Sequence, residues 1–225
     1  MNESMLDNIR EQHRISYKSS IKEIIKNNTT SLVDEDIMFL FRNPPLDSMD
    51  IIKCKFLDIA KSNNVILNSE VLNNALDAYR KRLKKECNIL KQERINYLSD
   101  IVDEFDLKKD ADTIKINKKN LNVINKMIKT AIKDVLVISY EKTINKNFDK
   151  IIHCTIDEDL KNKIYNDINK YIKNNYNKQI IESINMKIMV KDNILLNSIK
   201  EHSERYLFTI NNSRLLNDNL KKDID

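Results

Sequence analysis

The side chains best suited to nucleophilic or metal chemistry in this chain are three histidines, His13, His153 and His202, and three cysteines, Cys54, Cys87 and Cys154. A Cys–His nucleophile needs both side chains within hydrogen-bond reach of each other. His153 and Cys154 are adjacent, and neighbours on a helix or strand point in different directions. They read as a helix-end histidine beside a buried thiol. A structural zinc needs four ligands, and no CxxC spacing accompanies this one local pair. The three thiols read as reduced, buried cysteines of a cytosolic protein. His13 lies among polar residues, and His202 sits in Glu201-His202-Ser203-Glu204-Arg205. Both read as solvated-face histidines.

Carboxylates cluster at Asp34-Glu35-Asp36, at Asp103-Glu104 with Asp106, and at Asp157-Glu158-Asp159. None follows the calcium-loop pattern, whose sharp turn wants glycine at its sixth position. The first and third clusters fall where helices are expected to begin, so compensation of the helix dipole accounts for them. No metal is expected.

The chain has no glycine in 225 residues. An average composition of about 7% would place roughly fifteen in a chain of this length. Phosphate-wrapping loops of the Walker and Rossmann types need glycine where backbone meets phosphate, as do the nucleophile elbow and the kinase loop. All four are excluded, and no cofactor is expected.

Charge supplies the sharpest local feature. The net charge is +5, and the run Arg80-Lys81-Arg82-Leu83-Lys84-Lys85 is its densest segment. On a helix, Arg80 lies beside Lys84 and Lys81 beside Lys85, which makes a positive strip suited to tracking phosphates. The competing reading is a solvated face compensated by Asp77, Glu86 and Glu93. Lys115, Lys118, Lys119, Lys126, Lys129 and Lys133 form a second basic region with the same two readings. A helix-turn-helix outline over Met49–Lys61 and the helix from Ser69 has too long a connection for that motif. The tyrosines fall on helical stripes and read as core or interface residues.

These residues must be positioned by helices. The chain is 41% hydrophobic and 32% charged, with two prolines and no tryptophan, and lysine, asparagine and isoleucine dominate. A first amphipathic helix is predicted from Glu3 to about Asn27, interrupted near His13 and Arg14, followed by a short one capped by Asp34 and stopped by Pro44-Pro45. A helix over Met49–Ala60 closes at Ser62-Asn63-Asn64. Asparagine stands in for the missing glycine there, as it does at Asn27-Asn28 and Asn211-Asn212, because it tolerates the left-handed region best among the other residues.

Asn68 or Ser69 opens the longest helix, to about residue 105. Its stripe of Leu72, Ala75, Tyr79, Leu83, Cys87, Leu90, Tyr97, Ile101 and Phe105 is broken where Arg94 falls on the seam. Leu72, Tyr79, Leu83, Leu90, Tyr97 and Ile101 are the candidate interface.

Beyond it, 113–117 and 184–190 alternate apolar and polar residues and are candidates for a two-stranded ribbon. A helix from Lys118 carries two apolar rows: Leu121, Ile124, Ile128, Ala131, Val135 and Ile138, and Ile132, Leu136, Tyr140, Ile144 and Phe148. Thr155 and Glu158 have capping-box spacing before a helix reaching Ile184. A last helix runs from about Asp192 to Asn211.

The expected fold is an all-α multi-helix bundle with one long helix over 69–105 and at most a small β-ribbon. It divides into an N-terminal arm (1–43), a helical hairpin (45–105), a helical C-terminal part (111–219) and a frayed tail (220–225). Met1 to Arg10 carries no apolar leader, and no apolar run reaches membrane-spanning length. A cytoplasmic, non-enzymatic interaction protein is predicted: a scaffold, adaptor or assembly factor that meets a protein partner or its own copies through the long amphipathic helix. The alternative is a nucleic-acid-binding accessory protein that uses Arg80, Lys81, Lys84 and Lys85.

Overall fold

A computed structural model describes residues 3–42, 48–108, 112–152 and 157–222. They form an all-α fold: α1 Glu3–Arg42, α2 Ser48–Ser62, α3 Ser69–Glu104, α4 Lys118–Thr143, α5 Phe148–Ile151, α6 Glu158–Tyr171 and α7 Asn177–Lys222. A short 3-10 turn at Asn145–Asn147 precedes α5, and a π-turn at Ile172–Tyr176 joins α6 to α7. The chain divides into two compact units, each assembled from distant segments. Unit 1 comprises Met1–Thr30, Glu93–Ile124 and Met189–Asp225; unit 2 comprises Ser31–Gln92 and Asn125–Ile188. Each unit joins segments far apart in the sequence, because a helix buries its stripe against whichever helix returns beside it.

The first helix shows why polar clusters are a poor guide to helix ends here. Tyr17, Ile21 and Ile25 are buried at every fourth position, and Thr29 takes the next place in the row with no exposed surface. Asn28 donates through Nδ2 to the Lys191 carbonyl at 3.0 Å. The expected breaks near His13 and at Asn27–Ser31 are therefore absent, and α1 continues to Arg42. Pro44 and Pro45 lie outside the described residues.

The Asn63-Asn64 expectation holds in detail. The Asn64 N–H donates to the Lys61 carbonyl, and the Val65 N–H reaches back to that of Ala60 at 2.8 Å, the paired bonds of a Schellman terminus. Asn64 takes φ 54°, the left-handed position that glycine usually fills. Val65 then turns inward and is buried. Asn68 caps α3, its Oδ1 accepting from the Val71 N–H at 3.2 Å.

The candidate ribbon does not form. Residues 184–190 lie inside α7, and 113–117 carry no strand. The one β-bridge among the described residues joins Leu67 to Ile152, beside an Asn68 N–H bond to the Ile151 carbonyl at 2.7 Å.

A row of buried residues at every fourth position explains why α6 and α7 run on where a break was expected. Ile164, Ile168, Ile172, Tyr176, Ile180, Ile184 and Ile188 are all buried. With about 3.6 residues per turn, such a row drifts around a regular helix. The π-turn bonds i to i+5 and so adds a residue to one turn, which brings the row back toward the core. The alternation at 184–190 is thus one stretch of a helical row. At the start of α6 the N-cap is Asp157, which makes no side-chain capping bond; Thr155 of the expected capping box lies outside the described residues.

In α4 the core begins on the first of the two expected rows and passes to the second after Ile128. Leu121, Ile124, Ile128, Ile132, Leu136 and Tyr140 are buried, whereas Ile138 is 40% exposed and Ala131 and Val135 are half-buried. Asn117 opens this helix with a reciprocal cap. Its Oδ1 accepts from the backbone of Lys119 and Asn120, and its own N–H donates to Asn120 Oδ1 at 3.0 Å.

Candidate functional site

The long helix α3 spends its apolar seam inside the chain. Leu72, Tyr79, Leu83 and Leu90 of the candidate interface are buried, and Tyr97 and Ile101 are half-buried. Beyond Leu90 the seam lies one residue later than expected, at Leu98 and Val102. Arg94 does not break it. The guanidinium occupies the rung between Leu90 and Leu98 with no exposed surface and donates from Nη2 to Asp192 Oδ1 at 2.8 Å. A buried arginine must be paired, since an uncompensated charge in the interior costs several kcal/mol. Within unit 1 this ion pair ties the last turns of α3 to α7.

Unit 1 contains a second polar device. Ser203 donates through Oγ to the Ile199 carbonyl at 2.7 Å, which leaves its oxygen to accept from the Tyr17 hydroxyl at 2.6 Å. The Tyr17 oxygen in turn accepts from the Ile114 N–H at 3.2 Å. Every proton in this chain of bonds has one acceptor. Tyr17 also stacks on Tyr206, ring centres 4.1 Å apart, and on His202 at 5.8 Å. His202 is thus half-buried rather than on a solvated face, and burial together with the nearby Arg205 lowers its pKa below the ordinary imidazole value. His13 is exposed, as expected.

Cys87 is buried, and that burial, with Glu86 beside it, pushes the thiol up to about 12. It is inert as a nucleophile at neutral pH. Cys54 is exposed, contrary to the expectation of buried thiols, because it falls on the outer face of α2 between buried Ile52 and Phe56. His153 and Cys154 lie outside the described residues. Among the described residues no group of three histidine, cysteine or carboxylate side chains could hold a metal ion. The Asp103 carboxylate is engaged by Lys22 at 2.6 Å and that of Asp106 by Lys108 at 2.7 Å. Glu158 and Asp159 stand in the first turn of α6, where the dipole favours them.

The two basic regions differ in how they are compensated. In the strip on α3, Arg80 faces Asp77 at 3.8 Å and Arg82 faces Glu86 at 3.5 Å; Lys81, Lys84 and Lys85 are exposed. In the second region, Lys115, Lys118, Lys119, Lys126 and Lys133 are exposed and Lys129 is half-buried. No acidic residue occurs between Thr113 and Lys133, and among the described residues none of the six is ion-paired.

Unit 1 also has a groove of about 230 Å³, lined by Lys118, Leu121 and Asn122 of α4 and by Met189, Asp192, Asn193 and Leu196 of α7. Met189, Val190 and Ile194 are 68%, 59% and 49% exposed, and Met186 one turn earlier is 67% exposed. Sequence reasoning missed this face because it placed a ribbon there. The signal was the spacing of Met186, Met189, Asn193 and Leu196, which reads as three, four and three residues once the segment is taken as helix.

In comparisons with known proteins, no family model matches the chain, and neither a curated protein nor a solved structure matches it. Among the described residues no helix is long and apolar enough to cross a membrane.

Proposed function

We propose that the chain is a non-enzymatic helical scaffold that associates with a second copy of itself through the outward face of α7. The observation that carries this reading is the row Met186, Met189, Asn193 and Leu196, spaced as alternate a and d positions of a two-stranded contact. Two of its members are the exposed methionines, and Leu196 lines the groove beside them. Asn193 would stand at an a position. A single asparagine there costs stability but specifies register and a two-stranded state. Val190 and Ile194 widen the apolar face beside the row. Methionine suits such a surface because its unbranched, polarisable side chain adapts to a partner.

The burial of Leu72, Tyr79, Leu83 and Leu90 supports placing the contact on α7 in preference to α3. Sedimentation velocity across the micromolar range tests the proposal. A concentration-dependent dimer is expected, and Met189→Glu with Ile194→Glu, both at exposed positions, should return it to monomer with the helical circular dichroism unchanged. A wild-type chain that stays monomeric throughout, or a dimer that this double substitution leaves intact, overturns it.

A further inference from the structure

We infer that α4 carries a binding surface for the sugar-phosphate backbone of double-stranded nucleic acid, formed by Lys119, Lys126 and Lys133 with Lys118 and Lys129 beside them. The surface belongs to one helix, so its geometry follows from helical spacing alone. Lys119, Lys126 and Lys133 are seven residues apart, which places their Cα atoms about 10 Å apart along the axis and nearly in line, with a drift of about 20° per step. Lys118 and half-buried Lys129, eleven residues apart, stand on the flank of this row. Opposite the row stand the buried Leu121, Ile124, Ile128 and Ile132, and Lys119, Lys126 and Lys133 are exposed.

What separates this region from an ordinary solvated face is its lack of compensation. No carboxylate lies between Thr113 and Lys133, and no ion pair engages any of the row among the described residues. The strip at Arg80–Lys85 is denser in sequence, but Asp77 and Glu86 meet two of its arginines. A lysine row without carboxylates is free to neutralise phosphates, and the counterions that a polyanion then releases drive the association.

The residue types narrow the ligand further. No arginine occurs in α4, so the bidentate forks that read guanine edges are missing and recognition would be independent of sequence. The one aromatic side chain of α4, Tyr140, is buried, so the surface offers no platform for stacking the unpaired bases of a single strand. A straight row of point charges matches a regular duplex backbone. Exposed Asn122 adds an amide donor beside the row.

Fluorescence anisotropy with a mixed-sequence duplex, titrated from about 50 mM to 200 mM salt, reads the predicted signature. The wild-type chain should bind the duplex at the low end and lose affinity steeply as salt rises. Lys119→Gln, Lys126→Gln and Lys133→Gln together should lower affinity about tenfold or more and reduce the salt slope by about 2 to 3, close to 0.9 for each phosphate no longer neutralised. Lys81→Gln, Lys84→Gln and Lys85→Gln together should leave the slope unchanged. The inference is overturned if no duplex is bound at the low-salt end, if the α4 variant keeps the wild-type slope, or if a single strand of the same length binds more tightly. Vesicles containing phosphatidylserine form a parallel arm: sedimentation with them through the same lysines, without duplex binding, assigns the surface to a membrane and overturns it as well.

Discussion

The two compact units differ in how far they match their buried polar groups. In unit 1 two polar devices match donors to acceptors across the interior: Arg94 with Asp192, and the Ile114 N–H, Tyr17, Ser203 and the Ile199 carbonyl in a single donor-to-acceptor series. Among the described residues unit 1 leaves the buried Thr29 hydroxyl without a hydrogen-bond partner, whereas unit 2 leaves the hydroxyls of Tyr79, Tyr140 and Ser139 and the Asn177 Oδ1 so. Burial pushes the Tyr79 phenol well above its ordinary range, with Tyr176 and Tyr140 adding to the effect. The difference separates two tasks. Unit 2 is filled by volume, with aromatic contacts such as Phe148 edge-on to Tyr165 at 5.1 Å. Unit 1 is specified by direction, because a hydrogen bond or ion pair fixes which residues of two helices stand opposite each other, whereas apolar packing tolerates sliding.

The most damaging way to break this comparison is to remove one member of the ion pair. Arg94→Met removes the buried cation that faces the Asp192 carboxylate and should destabilise the fold by about 3 to 5 kcal/mol, read as a shift of the urea midpoint. Replacing both partners, Arg94→Met with Asp192→Leu, should recover most of that loss. A double variant no more stable than the single one would show that the pair is not an isolated unit.

A pair of hydroxyl deletions sharpens the contrast. Tyr17→Phe leaves the Ile114 N–H without its acceptor and should cost about 1 to 2 kcal/mol. Tyr79→Phe removes an unmatched hydroxyl from a buried site and should be neutral or slightly stabilising. Equal losses at both positions would erase the distinction between the units.

The smallest effect expected is that of pH on His202. Its folded pKa is lowered, so the unfolded chain takes up the proton first; the associated stability is complete above 6.5 and declines as the pH falls below that value. Thermal melts at pH 7.5 and at pH 5.5 should show a smaller drop in His202→Gln than in the wild type, if burial and Arg205 set the shift as the geometry indicates.

The outward faces repeat the lesson of the interiors. Both basic regions were legible as lysine and arginine counts, and both fitted a helix face equally well. Only the placement of Asp77 and Glu86 against the α3 strip, and the lack of any such partner along α4 among the described residues, separated them. The α7 face was hidden for a different reason. Alternation over 184–190 satisfies both a strand and the i, i+4 pattern of a helix, and a seven-residue window is too short to choose.

Local sequence was sufficient wherever the deciding interactions are local. It determined that the fold is all-α, since apolar residues recur at helical spacing along most of the chain and glycine is absent. It also determined that Asn63-Asn64 ends a helix and that Asn68 or Ser69 opens α3, because those bonds close within a few residues. Tertiary structure decided everything that depends on a distant partner. Asn27-Asn28 and Asn211-Asn212 have the same residues as the true terminus yet lie within α1 and α7, Thr29 being packed in the interior and Asn28 bonded to Lys191. Arg94 looked like an interruption of a seam until Asp192, far along the chain, made it a rung. A charge in an apolar row has no fixed meaning of its own, because its energy is set by what faces it.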